Sequence, residues 1–332
     1  MSFPRLLLAA TALLVAGAAE AAAPPACAGK DLIEALQRED PAAHAKLVET
    51  ARKIPNAEGL LYRIDRPGLE PSWLFGTMHV TDDRLAELPP EASAAIAGSR
   101  TVALELDELA LDKDGMGEKM GRLLAERGID PARKGLAGLS PSDRKSLRQA
   151  LAERGMKDVP PETFRPWVLL TFVSLPACEM ARSAAGLKVV DARVAEAGLA
   201  AGAEIVGLEE MEEQIDAMAS ISPRNAARLL AGMARLGPAL SDVFETTVGL
   251  YRRREIGYLF GDLKLVGVAD AESFAEFLEI LVDKRNLTMR DRALPLLEKG
   301  RTFIAVGALH LVGEKGLVEL FRKEGFSVTR VL

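Results

Sequence analysis

Two of the three histidines in this 332-residue chain occupy the same short pattern. Residues 73–76 and 303–307 are apolar runs that end in glycine, and a histidine follows each glycine by three positions, at His79 and His310. Neutral imidazole is the commonest metal ligand and the usual general base near pH 7. A chain with so few histidines that places two of them at matched strand ends is therefore predicted to use them for chemistry.

Two carboxylates stand at comparable positions in the chain. Glu105 falls in the buried-strand pattern of residues 101–106, and Glu209 follows the strand pattern of residues 204–207. Because ligands bind beyond the carboxyl ends of parallel strands, we expect both glutamates and both histidines to converge at one edge of a sheet. Two histidines and a carboxylate form a standard open ligand set for a divalent metal. The second carboxylate is then a candidate general base.

Each of these residues also has a structural interpretation. A histidine at a strand end is commonly a hydrogen-bonded loop residue. Glu105 could cap a following helix, and Glu209 opens an acidic run over residues 209–213 that could be a solvated helix start. The repetition of the histidine pattern favours the functional interpretation.

A further pair of candidates is Arg285 and Asn286, on a predicted helix rich in charged residues. A solvated helix face is one interpretation of this stretch. The functional interpretation is an arginine that clamps a carboxylate or steadies an oxyanion, with the asparagine orienting a ligand. We predict that at least one of the two faces the same pocket as the histidines.

The elements that must position these residues predict an α/β fold. Strand patterns alternate with amphipathic helical stretches, the first of which predicts one helix over residues 31–52. We predict a central mixed, mainly parallel sheet flanked by helices, with helical insertions at about 107–185 and 210–295. The two strand–GxxH–helix–strand units, residues 73–106 and 303–332, indicate a weak internal duplication.

The N-terminus predicts export. Arg5 precedes an apolar run over residues 6–17, and small residues follow, which is typical of a secretory signal peptide. We predict a signal peptide over residues 1–23 and a single mature domain over 24–332, located in the bacterial periplasm. The apolar run is too short for stable membrane insertion.

The chain contains two cysteines, Cys27 and Cys178. In an oxidising compartment a single pair favours one disulfide between them, and two buried free thiols are the alternative. The formal net charge of −6 argues against nucleic acid as a partner. A peptide or small-molecule substrate is expected instead, and the oligomeric state is left open.

Several motifs taken together resemble the TraB/GumN family, which is grouped with the Tiki metalloproteases and is related to erythromycin esterase-like and ChaN-like proteins. The resemblance covers residues 57–332 and keeps the motif order. It is carried by the motifs LFGTMH at 74–79, ALE at 103–105, GLE at 207–209, RNxxM at 285–289 and AVGALHLVG at 305–313.

The resemblance implies a hydrolase that cleaves peptide bonds with a divalent metal (Mn, Co or Zn). His79, His310 and Glu105 would then be the ligands, and Glu105, Glu209, Arg285 and Asn286 the catalytic candidates. Which of the two glutamates is the ligand and which is the base stays open. Two alternatives stay open: a metal-free, esterase-type hydrolase with a histidine base, and a non-catalytic protein that binds haem or another small ligand. The stretch from about 107 to 182 carries no motif of the family, so the resemblance does not identify the substrate.

Overall fold

The computed structural model describes residues 26–108, 113–260 and 270–332. The predicted signal peptide, residues 1–23, lies outside the described residues. Within them six strands form one sheet in the order β4-β3-β5-β2-β1-β6. The strands are β1 (Leu61–Asp65), β2 (Ser72–Thr77), β3 (Thr101–Leu104), β4 (Glu204–Gly207), β5 (Thr302–Gly307) and β6 (Ser327–Arg330).

The sheet is mixed and mainly parallel, which confirms the predicted fold class. β2, β5, β3 and β4 are parallel neighbours, whereas β1 is antiparallel to β2 and to β6. Strand β5 lies in the middle of the parallel part, where both of its faces are covered. Phe303 and Ala305 pack into the core on one face, and Ile304 and Val306 into the core on the other. A strand buried on both faces needs an unbroken apolar run, as the sequence of β5 has.

Helices fill the connections between the strands. Helices α1 (Leu32–Glu39) and α2 (Pro41–Arg52) precede β1, and α3 (Pro90–Ala97) connects β2 to β3. Between β3 and β4 they are α4 (Lys113–Arg127), α5 (Pro141–Glu153), α6 (Pro166–Val173), α7 (Ala177–Ala184) and α8 (Val190–Ala200). Between β4 and β5 they are α9 (Met211–Ser220), α10 (Pro223–Leu236), α11 (Leu240–Arg253), α12 (Ala271–Leu278) and α13 (Lys284–Leu297); α14 (Leu317–Lys323) follows β5. A π-helical turn, Glu279–Asp283, joins α12 to α13.

The single helix predicted over residues 31–52 is wrong, because the chain forms two helices there. Asp40 ends α1 and caps α2, and its carboxylate accepts from the Ala43 N–H at 2.9 Å. Pro41 suits the first turn of α2, but its ring prevents α1 from continuing through it. The apolar periodicity runs across the break because both helices contribute to one core cluster, with Ile33 from α1 and Leu47 from α2.

The two predicted strand–GxxH–helix–strand units differ in their crossovers. The first leads from β2 through α3 to β3 and passes one strand, β5. The second leads from β5 through α14 to β6 and passes two strands, β2 and β1. The internal duplication stays a prediction. No helix among the described residues is long and apolar enough to cross a membrane.

Register brings the carboxyl ends of the central strands to one level. Thr77 at the end of β2 pairs with Gly307 at the end of β5, and Leu104 at the end of β3 pairs with both Ala305 and Gly207. The residues that directly follow these ends therefore start from neighbouring points at one edge of the sheet.

Candidate active site

His310 lies in a 3₁₀ turn, Ala308–Leu311, that directly follows β5. Its Nδ1 is 2.7 Å from Oδ1 of Asn286, while the Asn286 amide nitrogen donates to the Lys315 carbonyl at 2.8 Å. Since the amide nitrogen is committed to a carbonyl, Oδ1 must accept from the imidazole, and the His310 proton is on Nδ1. Burial lowers the pKa of His310 to about 4. Its Nε2 therefore carries a lone pair at neutral pH.

His79 lies in the loop beyond β2, and its side chain is more exposed than that of His310. Its Nδ1 is 2.8 Å from Oδ2 of Asp191, and the Thr77 hydroxyl donates to Oδ1 of the same carboxylate at 2.5 Å. The Asp191 carboxylate raises the pKa of His79 to about 9. Asp191 is buried at the start of α8. Sequence reasoning missed its role, because an acid in the first turn of a helix is ordinarily a partner for the helix dipole.

Glu105 lies between the two imidazoles. Its Oε1 is 3.9 Å from Nε2 of His79 and 3.7 Å from Nε2 of His310, and it accepts from the Gly307 N–H at 2.6 Å. Its Oε2 accepts from Arg285 at 2.7 Å. Burial alone would raise the pKa of the Glu105 carboxyl, but the imidazoles and the guanidinium that face it lower that pKa below its ordinary value. Glu105 is therefore an anion that faces both Nε2 atoms.

Arg285, at the start of α13, joins the two predicted glutamates. Its Nε donates to Glu209 at 2.9 Å, and its Nη2 donates to Glu209 at 2.6 Å and to Glu105 at 2.7 Å. The amide of Gln214, on α9, donates to both carboxylates, at 3.1 and 3.2 Å. Sequence reasoning also missed Gln214. The contacts of Glu209 are thus with Arg285 and Gln214 rather than with an imidazole, and Arg285 is committed to protein carboxylates.

A cavity of about 300 Å³ opens beside these groups. Both imidazoles and Arg285 reach it, and most of its remaining wall is apolar. Side chains of α11 and of the α12–π-turn segment form that wall, among them Tyr251, Phe277, Leu281 and Val282. The site therefore combines a mostly apolar binding wall with two imidazoles that can bind a metal or move a proton.

Gly307 marks the space between the three facing groups. A Cβ at this position would lie 3.2 Å from Oε1 of Glu105, 3.4 Å from Nε2 of His79 and 3.6 Å from the His310 ring. The missing side chain leaves room beside all three.

The donors fit a divalent metal in type and orientation, but not yet in spacing. No group of three or more His, Cys, Asp or Glu side chains in the described ranges has the arrangement of a metal site. Two donors about 2.1 Å from one tetrahedral ion lie about 3.4 Å apart. The Glu105 oxygen is 3.7 Å from one imidazole nitrogen and 3.9 Å from the other, so binding would require a contraction of about 0.3–0.5 Å.

Comparison with known proteins identifies the family. The model of the TraB/PrgY/gumN family matches residues 60–330. The chain belongs to this family. It is 24% identical to the uncharacterised protein YbaP of Shigella flexneri over 263 residues. This aligned region covers 78% of this chain and 90% of YbaP. No solved structure matches the chain.

The TraB/PrgY/gumN match contains every residue of the site described above and begins after α2. The family resemblance of the motifs is therefore confirmed, whereas the grouping with the Tiki metalloproteases stays a prediction. Cys27 lies before the matched region and Cys178 within it. The structure joins them by a disulfide with a Cα–Cα distance of 5.3 Å, so the bond links α7 of the family region to the segment that precedes it.

Proposed function

We propose that this TraB/PrgY/gumN protein is a periplasmic hydrolase that uses a divalent metal to cleave peptide bonds. One observation carries the proposal. The Nε2 atoms of His79 and His310 face the same oxygen of Glu105, while each Nδ1 is held from behind by Asp191 or Asn286.

The electrostatics of this arrangement favour a bound cation. The His310 Nε2 presents a lone pair to the Glu105 carboxylate at 3.7 Å, so two hydrogen-bond acceptors face each other. A cation between them would replace that repulsion with two attractive contacts. Two histidines and one carboxylate, with the second imidazole nitrogens held by an acid and an amide, match the ligand and supporting groups of catalytic metal sites.

The chain's own residues have distinct tasks in this proposal. Asp191 and Asn286 orient the imidazoles, and Arg285 holds Glu105 in place. Glu209 positions Arg285 rather than acting as the general base, because both of its oxygens accept from that guanidinium. The apolar cavity wall binds the substrate and limits access of water. When bound, a divalent ion supplies Lewis-acid polarisation of a carbonyl and activation of water near pH 7.

The test uses purified protein stripped of metal and then loaded with Mn²⁺, Co²⁺ or Zn²⁺ in turn. Calorimetry and metal analysis measure binding, and a quenched fluorescent peptide library measures hydrolysis. We expect at least one ion to bind and to restore cleavage that a chelator removes. His310→Ala and Glu105→Gln should abolish binding and cleavage together. Glu319→Gln, on α14, is the matched carboxylate control and should leave both unchanged.

A metal-free hydrolase is the second candidate. It is favoured by the contact of the His79 Nδ1 with Asp191 at 2.8 Å, which resembles a general base and its orienting acid. The pKa of His79, about 9, weighs against it. Only about 1 in 100 of these imidazoles would be unprotonated at pH 7. Full peptide or p-nitrophenyl butyrate cleavage by protein that metal analysis finds free of metal would overturn the metal-dependent proposal and support this one.

The periplasmic location is supported by the Cys27–Cys178 disulfide, because such bonds persist in oxidising compartments. Fractionation of expressing bacteria and N-terminal sequencing test it. We expect the protein in the periplasmic fraction with residues 1–23 removed. Recovery of the uncleaved chain from the cytoplasm, with both thiols free, would contradict the location.

A further inference from the structure

The loop that carries His79, residues 78–82, is held by a buried cluster outside the site. Thr81 lies two residues beyond His79, and all three of its hydrogen-bonding groups contact side chains of α7. Glu179 accepts from the Thr81 N–H at 2.6 Å and from its hydroxyl at 3.0 Å. Arg182 donates to the Thr81 carbonyl at 2.7 Å and to its hydroxyl oxygen at 3.2 Å.

We propose that Glu179 and Arg182 are positioning residues that set the place of His79 through Thr81, and that the Cys27–Cys178 disulfide anchors their helix for this task. The proposal rests on the proposed role of His79. It assigns a function to a buried ionic cluster and to a covalent bond that otherwise have no part in the site.

Burial makes the hydrogen bonds of this cluster costly to break. Thr81 and Glu179 are each 1% exposed and Arg182 is 5% exposed. Charged side chains are rarely buried so deeply, and a buried charge that loses a partner is costly. A displaced Thr81 would remove both of its donors from the Glu179 carboxylate and two acceptors from Arg182, which also donates to Asp83 at 2.5 Å. The loop is therefore held in one position.

His79 depends on this support because its own side chain is poorly packed. The imidazole is 59% exposed, and its hydrogen bond to Asp191 fixes only one ring nitrogen. The position of Nε2 relative to Glu105 therefore follows the position of the loop backbone. Strand β2 holds one end of the loop, and the Thr81 cluster holds the other.

The disulfide is one step in a series of contacts that connects α7 through α11 to β2. Cys178 directly precedes Glu179, and its partner Cys27 belongs to a strap, residues 26–31, that lies on α11. The strap is tied to α11 by the Lys30 N–H donating to Asp242 at 2.7 Å and by Arg253 donating to Asp31 at 2.7 Å.

Helix α11 completes this series of contacts with a hydrogen bond to β2. The hydroxyl of Tyr251 donates to the Gly76 carbonyl in β2 at 2.8 Å, and the same tyrosine lines the cavity. The disulfide thus links the helix that holds the His79 loop to a helix that forms the cavity wall.

The test reads the position of His79 directly and does not depend on catalysis. Imidazole ¹H–¹⁵N spectra of labelled protein contain signals from three histidines, and the His79→Gln protein identifies those of His79. We expect Glu179→Ala to shift and broaden the His79 signals, and Glu179→Gln, which retains one acceptor oxygen, to do so less. The double variant Cys27→Ser/Cys178→Ser should change them in the same direction, while the His44 signals stay in place.

The matched control is Glu319→Ala, which removes a partly buried carboxylate that accepts from Asn56 and Arg322 at 3.0 Å or less. It should leave the His79 signals unchanged. Should Glu179→Ala fail to fold, Glu179→Gln and the cysteine variant decide. Unchanged His79 signals in the folded variants, or an equal change in Glu319→Ala, would overturn the proposal without bearing on hydrolysis.

Discussion

The two site histidines occupy the same sequence pattern, but their pKa values are shifted in opposite directions. Asp191 stands behind His79 and raises its pKa to about 9, whereas His310 is buried beside the neutral amide of Asn286 and its pKa falls to about 4. The difference arises from the acceptor at Nδ1 and from the depth of burial. At neutral pH His310 therefore offers a lone pair at Nε2, whereas His79 is protonated on both ring nitrogens.

This asymmetry predicts a pH-dependent metal affinity. A metal must displace the proton of His79, so affinity should rise as the pH increases from 7 to about 9, by up to about tenfold per pH unit. Calorimetry in buffers of different ionisation enthalpy measures the released proton. Asp191→Asn removes the main cause of the raised pKa and should move this dependence to lower pH. Affinity that is constant over this range would contradict the assigned role of His79.

His310 predicts a loss of stability in acid. Its pKa is lowered to about 4 in the folded state, so the unfolded chain binds more protons between pH 6.5 and 4. The contribution of His310 is complete above pH 6.5 and is lost as the pH falls towards 4, by up to about 3 kcal/mol. Urea unfolding at pH 7 and at pH 4.5 measures it. His310→Gln should reduce the difference between these pH values, and His44→Gln should not.

At the scale of elements, the level ends of the parallel strands create the site. The end of β5 contacts the residues that end or follow both neighbouring strands. Gly307 donates its N–H to Glu105, which follows β3, and pairs with Thr77 at the end of β2. His310 follows in the next turn. A short 3₁₀ turn after β5 and a loop after β2 are enough to bring both imidazoles to the same carboxylate.

Gly307→Ala should remove function while preserving the fold. The backbone at Gly307 has φ −51° and ψ 136°, which alanine adopts without strain, but its Cβ would lie 3.2–3.6 Å from the three facing groups. We expect metal affinity and hydrolysis to fall at least about tenfold, which is about 1.4 kcal/mol. Gly98→Ala is the control, because its Cβ would make only ordinary contacts at 3.6 and 3.7 Å. Equal affinity in both variants would contradict the placement of the ion beside Gly307.

For the whole molecule, the disulfide is the longest covalent constraint, with a sequence separation of 151. A loop of this size restricts the unfolded chain considerably, and loss of a native disulfide commonly costs about 2–5 kcal/mol. We expect Cys27→Ser/Cys178→Ser to lower the free energy of unfolding by this amount in urea titrations. The parent protein should show the same loss after reduction with dithiothreitol. A midpoint that neither treatment moves would contradict a stabilising bond.

Much of the architecture could be predicted because it depends on local patterns. The apolar run that ends at Gly307 predicts a strand, and in the structure both faces of that strand, β5, are buried. The break at Asp40–Pro41 was predictable in principle from the proline. It was missed because the apolar periodicity continues across it.

The family, the mainly parallel sheet and the residue types after its strands, including His79, Glu105 and His310, could be predicted from the amino-acid sequence alone. Motif and period are local properties, and they survive without knowledge of the rest of the chain. The groups that stand behind those residues depend instead on how distant parts of the chain pack together. Asp191 arrives from α8 across a separation of 112 residues, and Asn286 from α13. Such contacts are set by the packing of distant helices on one sheet edge, because hydrogen bonding and charge depend on distance in space and not on distance along the chain.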